Sequence, residues 1–96
     1  MLSIPVVTII IPTHNRGAAI RETIESALSQ TIGTGLEIIV VDDGSTDDTW
    51  QFLQIEYSNH AQIRMVSQQN AGVASARNRG LREARGDFVG DRKSVV

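Results

Sequence analysis

The sequence contains no cysteine and only two prolines, and aromatic residues make up just 4% of its 96 positions. Without cysteine, the chain has no disulfide framework and no thiolate nucleophile. The net charge is −2 and no block of like charges is present, which argues against nucleic acid or an anionic membrane as a partner. The longest apolar runs, Val6–Ile11 and Leu36–Val41, are too short to span a bilayer. We therefore predict a small globular domain without a transmembrane segment.

Four segments have the composition of strands. Val6–Ile11 and Leu36–Val41 are rich in β-branched residues and apolar on both faces, which is typical of the buried strands of parallel sheets. Pro12 is expected to end the first of them, because proline has no N–H to donate to the ladder. Ile63–Ser67 predicts a weaker strand nearer an edge, and a fourth strand begins at Asp87.

Helical patterns separate these segments. Apolar or small residues recur there at intervals of three and four, in three sets: Ile20, Ile24, Ala27 and Leu28; Trp50, Leu53 and Tyr57; Val73, Ala76, Gly80, Leu81 and Ala84. The third helix is expected to end near Arg85 and Gly86. The alternation predicts an α/β fold, a Rossmann-like, mostly parallel sheet with flanking helices. Ligands of such sheets bind beyond the carboxyl ends of the strands, so the loops at 12–17, 42–47 and 67–72 should line one crevice.

The first loop, Pro12–Gly17, places polar groups directly before a helix. The unpaired N–H groups of a helix N-terminus suit a phosphate, to which Arg16 would add a bidentate contact. The imidazole ring of His14 would stack on a nucleobase. These residue types are also ordinary in loops, so a purely structural interpretation stays open, with Asn15 capping the helix and Arg16 in solvent.

The second loop contains four aspartates within seven residues, and they divide into two pairs. Ser45 followed by Asp48 resembles a capping box. Asp47 and Asp48 would lie in the first helical turn, where acidic side chains complement the helix dipole. We therefore expect this pair to start the second helix rather than to bind a ligand.

Asp42 and Asp43 directly follow a buried strand, so their side chains are expected to point to opposite faces of the sheet. Gly44 would then permit a sharp turn. Carboxylates in the crevice can accept hydrogen bonds from a nucleobase imide or a sugar hydroxyl, or approach a metal. A turn-forming role for Asp43 is an equally supported alternative.

The third loop leads into a helix of small residues that can pack closely on a sheet. Asn70 is expected to cap this helix, and Gly72 would let a ligand approach the backbone. Arg77 and Asn78 would reach the crevice, or Arg77 would hold an aspartate of the neighbouring loop. A helix with solvated arginines is the alternative.

Taken together, three motifs resemble the nucleotide-binding half of family 2 glycosyltransferases, which are inverting enzymes of the GT-A fold. They are VTIIIPTHNR at 7–16, EIIVVDDGSTDDT at 37–49 and QQNAGVASARNRGLREARGDFV at 68–89. The resemblance extends over nearly the whole chain, from about Val6 to Val89, and the order and spacing of the motifs make it specific.

The resemblance implies that a nucleotide-diphosphate sugar, UDP-linked in many members, binds over the first strand ends. It also implies a transferase of polysaccharide biosynthesis, located in the cytoplasm and in its full-length form peripheral to the membrane. The residues that match the family's motifs would line the donor site: Pro12, Thr13, His14 and Arg16 at the nucleoside and phosphates, Asp42 and Asp43 at the base or ribose, and Gly72 and Arg77 at its border.

The resemblance ends after Val89. The family continues with a D-x-D motif that holds a divalent metal, whereas this chain continues with GDRKSVV at 90–96. We therefore expect residues 1–96 to be a truncated, N-terminal part of the nucleotide-sugar-binding domain, with 90–96 as a divergent tail. Manganese or magnesium is expected in the full-length enzyme and none on this chain, which has no catalytic residue. It should bind nucleotide weakly, be inactive alone and self-associate through exposed sheet surface.

Two other classes remain as alternatives. A receiver-type phosphoacceptor domain also places an acidic pair at a strand end, although that pair follows its first strand and not its second. A non-catalytic nucleotide-binding or assembly module is the other. A dinucleotide-binding module is excluded, because it needs G-x-G-x-x-G after the first strand, where this chain has Pro12–Gly17.

Overall fold

The computed structural model describes residues 7–29, 36–84 and 88–91, which form a parallel sheet with flanking helices. The four strands lie in the order β3-β2-β1-β4, and each neighbouring pair is parallel. The predicted α/β class is therefore confirmed. In chain order the elements are β1 (Val7–Thr13), a 3₁₀ helix (Gly17–Ala19), α1 (Ile20–Ser29), β2 (Leu36–Asp43), α2 (Thr49–Tyr57), β3 (Ile63–Gln68), α3 (Val73–Glu83) and β4 (Phe88–Asp91).

The central strand β2 is buried along its whole length, because both faces of the sheet carry a core. Ile38 and Val40 belong to the larger core, which is formed with α1 and α2. Ile39 and Val41 point to the other face and pack with Ala76 of α3. Alternate residues of a strand face opposite sides, so a run that is apolar at every position is what a sheet covered on both faces requires.

Helix α3 lies close to β1, as its small residues predict. A Cβ atom added to Gly80 would lie 2.4 Å from Cγ2 of Ile10, so only glycine fits at this contact. The face predicted for α3 is too wide, however: Val73 and Leu81 are 52% and 48% exposed. Only the side of α3 near Ala76 and Gly80 contacts the sheet.

The strands continue further than the sequence predicts. β1 extends through Pro12 to Thr13, and β2 includes both Asp42 and Asp43. The prediction that Pro12 ends the strand is wrong, because β1 stays paired with β2 at Pro12 and Thr13, opposite Val41 and Asp42. The polar residues at the ends of β1 and β2 are therefore part of the sheet, and this fixes the direction of their side chains.

The end predicted for the third helix is also wrong. α3 ends at Glu83 and the next residue is extended, while Arg85 and Gly86 lie outside the described residues. In the part of the chain that the structure describes, no helix has the length and apolar character needed to cross a bilayer. Self-association stays a prediction.

Candidate functional site

Three loops meet at the carboxyl end of the sheet and enclose a pocket of about 230 Å³. They follow β1, β2 and β3, as the parallel topology predicts. The described residues that line the pocket are Pro12, Thr13, His14, Asp43, Asn70, Gly72 and Val73. The structure thus brings together five of the eight residues proposed from the sequence.

Asp43 lies at the centre of this arrangement and is 5% exposed. Its Oδ1 atom accepts hydrogen bonds from Nε2 of Gln68 and from the backbone N–H of Ala71, both at 2.9 Å. Its Oδ2 atom accepts one from the N–H of Gly72 at 2.9 Å and a longer one, 3.4 Å, from Nδ2 of Asn70. One carboxylate of β2 therefore holds the whole third loop in place.

The environment of Asp43 keeps its carboxylate ionised at neutral pH. Burial alone would raise the pKa of Asp43, but the hydrogen bonds from Gln68, Ala71 and Gly72 outweigh it, and the pKa lies below its ordinary value. Among the described residues no lysine or arginine forms an ion pair with this carboxylate. The charge is stabilised by N–H dipoles.

Asp42 points to the opposite face of the sheet, as predicted from its position next to Asp43. It is 2% exposed, does not line the pocket, and accepts a short hydrogen bond from Oγ of Ser45. Burial raises the pKa of Asp42, and the hydrogen bonds from Ser45 only partly oppose that rise. The two adjacent aspartates thus differ in the direction of their pKa shifts.

The capping box predicted at Ser45 and Asp48 is not formed. Asp48 is the N-cap of α2 but its side chain makes no capping hydrogen bond, and the hydroxyl of Ser45 is bonded to Asp42. Oδ1 of Asp47 instead accepts hydrogen bonds from the backbone N–H, at 2.9 Å, and the hydroxyl of Thr49. The prediction that Asp47 and Asp48 lie in the first turn of α2 is therefore wrong, because α2 begins at Thr49 and Asp47 bonds to that residue from outside the helix.

The first loop is tied to the second by Asn15. Its side-chain Oδ1 accepts from the backbone N–H of Thr46 at 2.8 Å and of Asp47 at 3.3 Å, while its own N–H donates to Oγ of Ser45 at 2.8 Å. The capping role proposed for Asn15 in its own helix is wrong, because these contacts are with residues about 30 positions away. Asn15 has a φ of 52°, a conformation that asparagine adopts more readily than most residues.

Two glycines shape the pocket for different reasons. Gly44 has a φ of 69°, and a Cβ atom there would lie 2.5 Å from the backbone nitrogen of Asn70, so the second and third loops touch at this point. Gly72 has a φ of 100° with no atom within 4 Å of the position of a Cβ. Gly72 is also the N-cap of α3, so the capping role predicted for Asn70 is wrong.

The remaining predicted residues differ in where they lie. The hydroxyl of Thr13 is buried, lines the pocket and has no hydrogen-bond partner within the described ranges. Arg16 is half-buried beside the 3₁₀ helix, and its Nε likewise lacks a partner there. Neither Arg16 nor Arg77, which is half-buried on α3, contributes to the pocket lining.

The two aspartates at this rim do not suit a metal ion. Both oxygens of Asp43 already accept N–H groups, and Asp42 is buried and bonded to Ser45. Across residues 7–29, 36–84 and 88–91, no group of three or more His, Cys, Asp or Glu residues could hold one. A metal bound by Asp43 would have to displace donors of the third loop, and one bound by Asp42 would have to displace Ser45.

Sequence reasoning missed three residues of the site: Asn15, Asn70 and Val73. Nδ2 of Asn70 donates to the backbone oxygen of Asp43 at 2.9 Å. The available signal was the type of residue: asparagine in a loop is often placed there by its side-chain amide rather than as a helix cap. For Val73, its apolar character pointed to the core, and only the structure shows it at the pocket.

Comparisons with known proteins identify the family. Residues 8–90 match the model of the family described as Glycosyl transferase family 2. The chain is 48% identical over 87 residues to the chondroitin synthase of Escherichia coli, and 38% identical over 87 residues to the hyaluronan synthase of Pasteurella multocida. Each match covers 91% of this chain but only 12% and 9% of those proteins.

Solved structures share the fold. The structure of S. aureus TarS 1-349 in complex with UDP matches 93% of this chain with a TM-score of 0.80 and 33% identity. The mannosyltransferase PcManGT from Pyrobaculum calidifontis, solved with GDP-Man and Mn2+, also matches 93% of it, with a TM-score of 0.79 and 33% identity. This chain corresponds to 27% and 28% of those two structures.

Proposed function

This chain belongs to glycosyl transferase family 2, and from that premise we propose that its pocket binds the nucleoside diphosphate of an activated sugar, with UDP as the nucleotide. The parent activity would be transfer of the sugar to an acceptor hydroxyl with inversion. The chain spans about an eighth of the chondroitin synthase that it resembles. We therefore propose nucleotide binding for these residues and assign no catalytic group among them.

The convergence of three loops on one pocket carries this proposal. Residues from 12 to 73 reach the same rim, although they come from three separate strand ends. The relatives include a structure that holds UDP and one that holds GDP-Man. A pocket at the carboxyl ends of parallel strands is also the usual place for a nucleotide in such folds.

Asp43 gives the pocket a preference among bases. Its Oδ1 atom has two donors at 2.9 Å, whereas Oδ2 has one at that distance and one at 3.4 Å. The 3.4 Å contact from Asn70 is the longest of the four, so a ligand N–H or O–H would take its place on Oδ2. Uracil and guanine carry a ring N–H, whereas neutral cytosine and adenine offer only an exocyclic amino group, so a base that meets Oδ2 through its ring edge would be preferred as a uridine or guanosine nucleotide.

Other groups of the pocket suit the rest of the nucleotide. The unpartnered hydroxyl of Thr13 would bond to the nucleoside, and the ring of His14 would pack against the base. The positive φ and open surroundings of Gly72 would let a ligand approach the backbone. Roles for Arg16 and Arg77 at the phosphates and the pocket border remain part of the proposal.

We propose that Asp42 supports the site from behind. Its contact with Ser45, which also bonds to Asn15, would hold the second loop against the first. Any divalent metal of the whole enzyme would be held by residues other than Asp42 and Asp43, since Asp42 is buried and bonded to Ser45 and the carboxylate of Asp43 is bonded to the third loop. Mn2+ is present in the mannosyltransferase structure, which supports a metal in the complete protein.

Titration of the chain with UDP, GDP, CDP and ADP, followed by NMR, tests the proposal. We expect the signals of Thr13, His14 and Gly72 to shift with UDP and GDP, and CDP and ADP to bind about tenfold more weakly for lack of the ring N–H. Thr13→Ala removes the hydroxyl that is proposed to bond to the nucleoside. Its matched control is Thr46→Ala, which lies in the neighbouring loop but outside the pocket lining. Equal binding of all four nucleotides, or shifts confined to residues away from the pocket, would contradict the proposal.

A further inference from the structure

Both ring nitrogens of His14 are in contact with hydrogen-bonding groups of the protein. Nδ1 lies 2.8 Å from the backbone oxygen of Asp43, and Nε2 lies 3.2 Å from Nδ2 of Asn15. A carbonyl oxygen can only accept, so the proton must be on Nδ1. Nδ2 of Asn70, 3.3 Å from the same ring nitrogen, donates to the same carbonyl oxygen and is not bonded to the ring.

The orientation of the Asn15 amide decides what Nε2 meets. Oδ1 of Asn15 accepts from the backbone N–H groups of Thr46 and Asp47, at 2.8 Å and 3.3 Å. Because those donors hold the amide oxygen towards Thr46 and Asp47, the NH₂ group of Asn15 faces His14. Nε2 must therefore be an unprotonated acceptor, because a proton there would point at another donor.

We propose that Asn15 is a positioning residue that holds His14 as the neutral Nδ1–H tautomer and fixes the plane of its ring. The proposal rests on nucleotide binding by this pocket for its functional meaning. With both nitrogens committed to the protein, His14 meets a ligand through its ring face and not through an N–H. Discrimination between bases then falls to Asp43 and the hydroxyl of Thr13.

The other histidine of the chain provides an internal comparison. Nδ1 of His60 accepts a hydrogen bond from the backbone N–H of Gln62 at 3.2 Å, so its proton is on Nε2 in the neutral form. The two histidines are thus expected to be opposite tautomers in one molecule. No lysine, arginine or metal is needed to produce this difference.

Long-range ¹H–¹⁵N NMR spectra of the free chain, in its neutral-histidine range, test the assignment directly. We expect the ¹⁵N shifts of His14 to show a protonated Nδ1 and a bare Nε2, and those of His60 to show the reverse. A protonated Nε2 on His14 would overturn the inference. This measurement needs no nucleotide, so it succeeds or fails independently of the proposed function.

Asn15→Asp tests the role of the side chain. Aspartate tolerates the same backbone conformation and keeps an oxygen for Thr46 and Asp47, but presents a second oxygen to Nε2 of His14. We expect His14 to become protonated on both nitrogens, and the affinity for UDP to fall about tenfold. Asn59→Asp adds the same charge to an exposed turn after α2 and serves as the control.

The outcomes separate the two proposals. An unchanged His14 tautomer in Asn15→Asp, or an equal change in Asn59→Asp, would overturn the positioning role. The expected tautomers together with no UDP binding by the unaltered chain would support the positioning role and overturn only the proposed function. Retained UDP affinity in Asn15→Asp, with His14 doubly protonated, would show that the ring state has no bearing on binding and would overturn the functional part of the inference.

Discussion

Strand β2 carries a buried carboxylate near each end, and the protein stabilises the two charges by different means. Glu37 near the start and Asp43 at the end are 2% and 5% exposed. Both lie on the face of the sheet that α3 covers, because alternate residues of a strand share a face and these two are an even number of positions apart. The comparison shows how one strand can contribute to a closed structural contact at one end and an open pocket at the other.

At the amino end, the charge of Glu37 is met by a cation. Arg64 lies 3.6 Å from its Oε2 and also donates to the backbone oxygen and side chain of Glu83, at 2.7 Å and 2.9 Å. The hydroxyl of Thr8 donates to Oε1 at 2.9 Å. This network fastens the last turn of α3 to the sheet.

At the carboxyl end, Asp43 is met by neutral donors from a loop. Such donors stabilise the anion without cancelling its charge, so the rim keeps a negative site that can accept a ligand donor. The loops at this end are held by polar contacts, whereas the strands are held by an apolar core. We therefore propose that the amino end contributes mainly to stability and the carboxyl end mainly to binding.

The largest effect that would separate the two ends is expected for Arg64→Met. It leaves Glu37 buried without this cation, which should lower the free energy of unfolding by about 2–3 kcal/mol, at the low end for a buried pair because Arg64 is partly exposed. Urea unfolding measures it, and UDP affinity should be unchanged. Adding Glu37→Gln to this variant should restore the part of the loss that comes from the charge of Glu37, but not the part from the contacts with Glu83. If the double variant is as unstable as the single one, the charge of Glu37 is not the cause.

A smaller loss of stability, but a larger loss of binding, is expected for Asp43→Asn. The amide offers one acceptor oxygen where the carboxylate has two, so the N–H of Gly72 or Ala71 loses its partner. We expect a cost of about 1–2 kcal/mol and at least a tenfold weaker UDP affinity. Urea unfolding and NMR titration measure the two effects. Unchanged UDP binding in this variant would break the division between a structural end and a binding end.

The smallest expected effect is the pH dependence of stability, which should differ between variants of the two adjacent aspartates. The lowered pKa of Asp43 means that its stabilising contribution is present above its unfolded value near 3.8 and is lost as the pH falls through its folded pKa. The raised pKa of Asp42 means the opposite: its ionised form costs stability at neutral pH, and that cost disappears in acid. The penalty of Asp43→Asn should therefore shrink on acidification.

The effect of the control variant Asp42→Asn on stability should change with pH in the opposite direction. Its stability relative to the unaltered chain should be most favourable near neutral pH and should decline in acid, by about 1 kcal/mol or less. Urea unfolding of both variants between about pH 7 and about pH 3 measures the two slopes. Slopes of the same sign would show that the two carboxylates do not differ as their environments imply.

The prediction of the fold succeeded where the signal was local. The β-branched runs, the helical spacing of residues such as Ile20 and Ile24, and the turn at Gly44 all depend on neighbours in the chain. Element ends were less predictable. β1 continues through Pro12 because it stays paired with β2 there, and no pattern in the first strand reveals how far that pairing extends.

The site was predictable as a place but not as a set of bonds. The order of the elements and the parallel topology put the loops at one rim, and five of the proposed residues line the pocket there. Ser45 was expected to cap a helix and bonds to Asp42, while Asn15 was expected to cap its own helix and holds the second loop. In each case a side chain with several possible partners took the one that the folded chain brought nearest.

Local patterns of residues were enough to predict the elements, their parallel arrangement and the edge at which polar residues collect, because hydrophobic period and turn chemistry act over a few residues. The folded chain was needed to learn which carboxylate faces the pocket and which nitrogen of His14 carries the proton. Those choices depend on contacts such as that of Asp43 with Gly72, 29 positions later, which exist only after the strands have paired. A buried polar group bonds to whatever lies within about 3 Å, and the fold alone sets that neighbour.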